Sequence, residues 1–360
     1  MGAAEEAEEG PQVRRFAAWW LGLTSAREDG TALALLRVLV ALSCLGLLGA
    51  LCFTAEGRQT VVFGFTDVSS GGYRKLAGAT TTLTFGLLGL GWIAAVLLLV
   101  GAFGRLPALV LAVTTHIVLT RNDDVSGSGD ALLGAALLVL VLGDATCTLS
   151  VDARLRTGSF VDGSRIAAWP RRIGLFHLTV VYVATGLQKL VATAWTPLDG
   201  FSALYQILQS PHWTRFPTLV TDGDGLWVVP LAVGTAVTVA FELGFWLVLV
   251  SRRVRPLFAT VGLLLHLGIW ILLEVGAFSA LSLAFYPLLF PQACARLGLA
   301  LSTALNRAAR GSDPGRPLAI RRAVRRSDGS RDPESVPRAP AAKNPSCGWW
   351  QNARRPPHLR

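Results

Sequence analysis

The chain has 360 residues, 52% of them hydrophobic and only 16% charged, with a formal net charge of +10. That balance is too apolar for an ordinary soluble domain of this length and makes the lipid bilayer its natural solvent. It also excludes nucleic acid as a partner, because the positive charge follows loops and a tail instead of one folded face with interleaved aromatics.

Residues 1–30 form an N-terminal segment that opens with the acidic run "EEAEE". Its first apolar stretch comes too late for a cleavable signal, so the first span is expected to be retained. Apolar runs suited to crossing about 30 Å of hydrocarbon follow at 31–53, 83–103, 105–120, 131–149, 173–191, 227–250, 257–273 and 275–298. The reading is an all-α integral membrane fold, a polytopic bundle of about eight transmembrane helices over residues 31–300. Residues 301–360, rich in Arg, Pro, Ser and Ala with no apolar period, read as a disordered basic tail. Its "RRAVRR" at 321–326 is suited to anionic headgroups, although a solvated tail needs no such contact.

Basic residues accumulate on the cytoplasmic side of membrane proteins, and eight spans put both termini there. With that orientation, the inner segments hold 26 of the 33 Lys and Arg residues and the outer segments six, with Arg37 inside the first span. The expectation is a multi-pass protein of the cell membrane with cytoplasmic N- and C-termini.

Of the five cysteines, at 44, 52, 147, 294 and 347, none forms a C-x-x-C pair, so neither thiol redox chemistry nor a thiolate zinc site is expected. No P-loop, H-E-x-x-H or G-x-S-x-G motif is present. What carries chemistry is a short set of polar groups inside apolar runs, each costly enough to need a reason: Arg37, His116, Asp144, His177, Tyr182, Lys189, Glu242, His266 and Glu274. Counting about 1.5 Å per residue from the charged ends puts Glu242 and His266 at matching depth, roughly 15 Å in. On consecutive antiparallel helices they are expected to hydrogen-bond, either as a packing clamp or as a binding or proton-transfer pair. Arg37 and Asp144 share a depth as well and read as an ion pair or as snorkelling residues. His177 reads as packing. His116 approaches an outer cavity.

Lys189 closes the fifth span in "ATGLQKLVATAWTPLDG", residues 184–200. Counting back by three- and four-residue steps places Thr185 and Tyr182 on its face, a phenol, a hydroxyl and an amine in a row. A lysine partly stripped of water can act as a base near neutral pH. One at a helix end beside Trp195 is equally the usual interfacial anchor.

"YVATGLQKLVATAWTPLDGFSALYQIL" resembles the signature of the HTTM domain, the transmembrane module that vitamin K-dependent gamma-glutamyl carboxylase shares with many bacterial membrane proteins. Arg37, "GSGDALL" at 127–133, "LSVDAR" at 149–154, "FELGF" at 241–245 and "HLGIWILLEVGAFS" at 266–279 agree in order, so the resemblance covers about residues 30–300. It implies a base at Lys189, which matches the lysine that starts hydroquinone oxidation in the carboxylase, and a cavity supported by His266, Glu242, Tyr182, Thr185 and His116. The implied cofactor is a reduced membrane quinone, used with oxygen and carbon dioxide; no metal is implied. Partners would be the lipid bilayer and a quinone, lipid or small peptide. Two departures stand against protein glutamate carboxylation. Gln188 replaces a second lysine, and no large lumenal domain follows residue 300. Related bacterial proteins suggest the alternative of a non-enzymatic accessory protein for peptide maturation, export or immunity.

Overall fold

The computed structural model describes residues 22, 24–54, 81–119, 128–162, 164–220 and 225–311. The "EEAEE" run, Arg14, Arg15, Arg58, Arg74, Lys75, Arg121 and the tail from residue 312, with "RRAVRR" and Cys347, lie outside the described residues. In chain order the elements are β1 (Arg27–Asp29), α1 (Thr31–Phe53), α2 (Thr81–Val100), α3 (Leu106–Leu119), α4 (Ser128–Leu142), α5 (Val151–Thr157) and β2 (Arg165–Ala167). Then come α6 (Trp169–Lys189), α7 (Ala203–Gln209), α8 (Val228–Gly244), α9 (Leu247–Val250), α10 (Arg255–Leu272), α11 (Phe278–Ala284) and α12 (Pro291–Gly311).

A helix lies in each of the eight apolar runs, but the eight-span count is coarser in the structure. Among the described residues three helices are long and apolar enough to cross a membrane: Thr31–Phe53, Thr82–Val100 and Arg255–Leu272. A bent pair, Phe278–Leu289 with Pro291–Leu301, would make a fourth. α3, α4 and α8 are apolar but shorter. α6 has 21 residues yet carries Arg171, Arg172, His177 and Lys189.

Packing shows what solvent the bundle was built for. α1 buries Leu33, Leu36, Val40, Cys44, Leu48 and Leu51 at helical spacing against its neighbours, while Leu42 on another face stays open. Ile93 on α2 is 61% exposed and Leu264 on α10 63%. Helices apolar on all faces belong in hydrocarbon, where such side chains carry no cost.

The all-α expectation needs one correction: β1 and β2 form a two-stranded antiparallel sheet, with Glu28 opposite Ile166. Three-residue strands give too short a run for alternation to show in sequence. The sheet ties the chain before α1 to the loop before α6, and other contacts gather at the same end. Asp152 accepts the backbone N–H groups of Phe103 and Gly104 at 3.1 and 2.7 Å, Arg105 pairs with Asp144 at 2.5 Å, and Arg171 pairs with Glu28 at 2.6 Å. Three of the five segments expected on one side of the membrane thus meet at one end of the bundle, and the break described next brings in the other two.

The run at 275–298 is not one straight span. After α11 the chain makes a 3-10 turn at Tyr286–Leu289, Phe290 leaves the helical region, and Pro291 starts α12, so the halves differ in direction by 95°. Proline has no N–H to continue a helix and pushes the preceding residue out of helical geometry. Carbonyls freed by the break are taken by arginines: Arg171 Nη1 donates to Leu288 O at 2.8 Å and Arg255 Nη1 to Leu289 O at 3.0 Å. α12 continues to Gly311, past residue 301 where the tail was expected to begin.

Candidate functional site

The site forms where α6 ends against α8. Gly186 lets the helices touch, since a Cβ there would stand 3.1 Å from the Cβ of Glu242 and from the Leu243 backbone nitrogen. That close approach sets Lys189, one turn further on, beside Glu242. The amine donates to both carboxylate oxygens at 2.7 Å each, and the side chains are 22% and 9% exposed. Lys189 Nζ also lies 5.0 Å from the centre of the Trp195 ring, a cation–π contact that covers its remaining side. A snorkelling anchor would turn its amine to water. This one turns inward.

Depth along α8 explains how a helix-end lysine becomes sheltered. The chain after Lys189 runs on through two 3-10 turns into α7, and the Leu204 N–H reaches the Thr235 hydroxyl at 3.2 Å. Thr235 lies seven residues before Glu242, roughly 10 Å along α8, so residues 190–209 extend the protein beyond the lysine. Thr185 donates to its own helix at Tyr182 O, 2.9 Å away, and adjoins the Glu242 carboxylate.

The expected Glu242–His266 bond is not made. Glu242 bonds Lys189, and His266 bonds Tyr182. The His266 Nε2 to Tyr182 hydroxyl distance is 2.6 Å, and Tyr286 approaches the same hydroxyl at 3.3 Å. Phe241 and Phe245 pack on the Tyr182 ring at 5.1 and 4.5 Å between centroids. His266 is 1% exposed, and its Nδ1 has no hydrogen-bond partner among the described residues. The physical reason is rotation about the helix axis. Successive residues of a helix point about 100° apart, so while Phe241 faces Phe258 of α10 and the Tyr182 ring, Glu242 turns away from α10 to the end of α6 at Lys189.

Arg37 and Asp144 do not pair either. Arg37 is fully buried and donates to Leu149 O at 2.6 Å, while Asp144 takes Arg105. The guanidinium runs against Gly101, where a Cβ would overlap Nη1 and where φ is +69°, so glycine answers two demands at once. His116 is exposed on the last turn of α3, which packs against α2 and α4, away from the α6, α8 and α10 residues of the site. Glu274 is exposed, and its backbone N–H bonds Trp213 O. His177 is half-buried, its Nε2 without a hydrogen-bond partner among the described residues.

Tyr286 is the member of the cluster that sequence reasoning missed. Its hydroxyl fills the space that a Cβ on Gly262 would need, and Gly262 lies four residues before His266 on the same face. A glycine one turn before a buried histidine was the available signal.

Between α7, α8 and α10 lies an apolar cleft of about 320 Å³, lined among others by Leu204, Leu208, Val237, Thr238, Phe241 and Leu265. Phe241 forms part of its wall and packs on Tyr182 from the other side. Among the described residues no three His, Cys, Asp or Glu side chains cluster to hold a metal ion.

No curated protein and no solved structure shows a significant match to this chain. The family model of the HTTM domain does match, over residues 26–293, which takes in α1 to α11, the Lys189–Glu242 pair and the Tyr182–His266 pair. The chain therefore belongs to the HTTM domain family.

Proposed function

We propose that this protein is a multi-pass membrane enzyme of carboxylase-like chemistry, with Lys189 and Glu242 as the pair that takes a proton from a substrate. The observation that carries the reading is the bidentate contact at 2.7 Å between two largely shielded groups. An ammonium facing a carboxylate has no lone pair to offer. Lys189 becomes a base once its proton has moved to Glu242, and scarcity of water helps, because burial penalises the two charges more than two neutral groups.

The resemblance to the carboxylase supplies the substrate class: a reduced membrane quinone used with oxygen and carbon dioxide. Bound, such a group would supply an acidic hydroxyl and reducing electrons. The chain fits it in part. The cleft suits an apolar tail, Thr238 is the polar side chain among its lining residues, and neither Lys189 nor Glu242 lines it. The reacting head would therefore be met by the pair outside that cleft.

A second reading has its own observation. Lys189 and Glu242 satisfy each other as they stand, which is what a clamp in a non-enzymatic accessory protein for peptide maturation, export or immunity would need. In both readings residues 31–300 form the membrane domain and both termini lie in the cytoplasm. The gathering of arginine-bearing segments at one end of the bundle supports that orientation.

Oxygen uptake driven by a reduced quinone, followed in lipid nanodiscs for the wild type, Lys189→Arg and Lys189→Ala, tests the first reading. Activity in the wild type and in neither variant is expected, because guanidinium does not give up its proton. Wild-type uptake by Lys189→Arg removes Lys189 as a base. No uptake by the wild type, with heat stabilisation by an added small peptide, selects the accessory reading.

A further inference from the structure

α12 leaves the bundle at 95° to the segment before it. That segment runs the length of the bundle, from Phe278, against which Gly129 packs, to Leu288, which takes the Arg171 bond. If it follows the membrane normal, as a span packed beside α1 and α10 would, then α12 lies in the plane of the membrane surface. Its sequence is strongly amphipathic, unlike any of the spans. Cys294 and Gly298 form a buried stripe, with Gly298 so close to Thr31 that a Cβ would stand 2.6 Å from the threonine hydroxyl. Leu297 and Leu301 flank that stripe and are exposed, and Arg296 is exposed as well. Arg307 and Arg310 follow Arg296 on the same helix, roughly three and four turns further along.

The charge around this helix has one sign. Apart from the buried Arg37, the described segments at this end carry eleven arginines, from Arg27 to Arg296, against the acids Glu28, Asp29, Asp144, Asp152 and Asp162. Each of those acids is already engaged. Glu28, Asp144 and Asp162 pair with Arg171, Arg105 and Arg156, Asp152 holds the turn after α2, and Asp29 accepts the Thr31 N–H at 2.8 Å. Arg252 and Arg253 are exposed on the turn between α9 and α10.

We propose that α12 is an interfacial helix, not a span, and that with Arg252 and Arg253 it forms a docking surface for anionic phospholipid headgroups. Leu297 and Leu301 dip into the boundary between headgroups and acyl chains, and Arg296, Arg252 and Arg253 meet the phosphates. An amphipathic helix with an apolar flank and arginines beside it binds by burial and by charge together.

The full-length protein is placed in nanodiscs of phosphatidylcholine alone or mixed with phosphatidylglycerol, with a fluorophore on Leu297→Cys in a background carrying Cys52→Ser and Cys347→Ser. Nitroxide lipids labelled at the headgroup, high on the acyl chain or near the bilayer centre report its depth. Strongest quenching by the shallow acyl label is expected. Strongest quenching by the central label would make α12 a span, and no quenching would mean that it binds a protein partner or packs elsewhere; either result overturns the proposal. Native mass spectrometry then compares retained phosphatidylglycerol in the wild type and in Arg252→Gln/Arg253→Gln/Arg296→Gln. The expected loss is roughly fivefold per arginine, from the usual attraction of a basic residue to an anionic surface. Equal retention with unchanged tryptophan fluorescence would also overturn it.

Discussion

Replacing Lys189 and Glu242 singly and together gives the most direct test of how the site is held. Lys189→Met leaves the carboxylate without the only charged partner it has in the pair, and Glu242→Met does the same to the ammonium; both are unbranched and suit the tight contact at Gly186. Breaking a buried ion pair by removing one partner costs about 3–5 kcal/mol, because an uncompensated charge stays behind. Here Lys189 keeps 22% of its side chain open, so water screens part of that and about 2–3 kcal/mol is the better expectation for each single variant. The double variant leaves two apolar side chains in contact and should recover most of the loss, remaining about 1 kcal/mol below the wild type, for a coupling of about 3 kcal/mol or more. Unfolding in mixed micelles titrated with a denaturing detergent supplies the free energies. The same cycle on Glu242 and His266 should be additive to within about 0.5 kcal/mol. Strong coupling there, with additivity between Lys189 and Glu242, would refute the partner assignment.

Tyr182→Phe should cost about 1–3 kcal/mol, since it strands a His266 ring nitrogen in an apolar surround, and Tyr286→Phe should cost less because its bond is long at 3.3 Å; the same micelle titration ranks them. A cysteine at the exposed Leu198 should react with an impermeant thiol reagent on intact cells, and one at the exposed Leu155 only after permeabilisation; the reverse pattern would invert the orientation. Burial works against the charge of Asp162, but hydrogen bonds from Ser164 and Arg156 outweigh it and hold the carboxyl below its usual range. A lowered value means the Arg156–Asp162 contact is intact above the ordinary carboxylate range and is lost only as the pH falls through the lowered one. Hydrogen exchange across residues 156–164 should therefore stay slow at about pH 4, where an unperturbed aspartate is half protonated.

Much of this structure was legible because apolar length and arginine position are read directly from a sequence. The eight helical runs and the gathering of five basic segments at one end follow from those signals alone. That Glu242 and His266 stand on neighbouring helices was legible too, but not their level: Gly244 meets Phe258 and Phe241 meets Gly262, so His266 lies further along α10 than the Glu242 contact. Nor was orientation about the helix axis. Phe241 and Glu242 are adjacent, and that one step of 100° decides whether a side chain meets Tyr182 or Lys189. The cover over the end of α6 was hidden for a related reason. Nothing in "LVATAWTPLDG" tells whether a helix stops at a membrane surface or beneath a covering segment that still packs on α8. The break at Phe290 left a trace in Pro287 and Pro291, which an average over apolar residues smooths away.

The exchange of partners also changes which residues a proton transfer at the site must use. An ammonium has three N–H groups and no lone pair, whereas a carboxylate that accepts from one lysine still has lone pairs to spare. A substrate proton can therefore reach Lys189 only after the lysine's own proton has moved to Glu242, so the transfer needs both residues. A clamp makes no such distinction: Glu242→Gln still accepts a hydrogen bond from Lys189 through its amide oxygen and keeps the helices together. Proton uptake through the pair demands more, because an amide does not ionise. Glu242→Gln should thus retain the fold, read by tryptophan fluorescence and the micelle titration, and lose oxygen uptake as completely as Lys189→Arg. Retained uptake in Glu242→Gln beside its loss in Lys189→Arg would assign the proton to the lysine alone and reduce Glu242 to a structural partner.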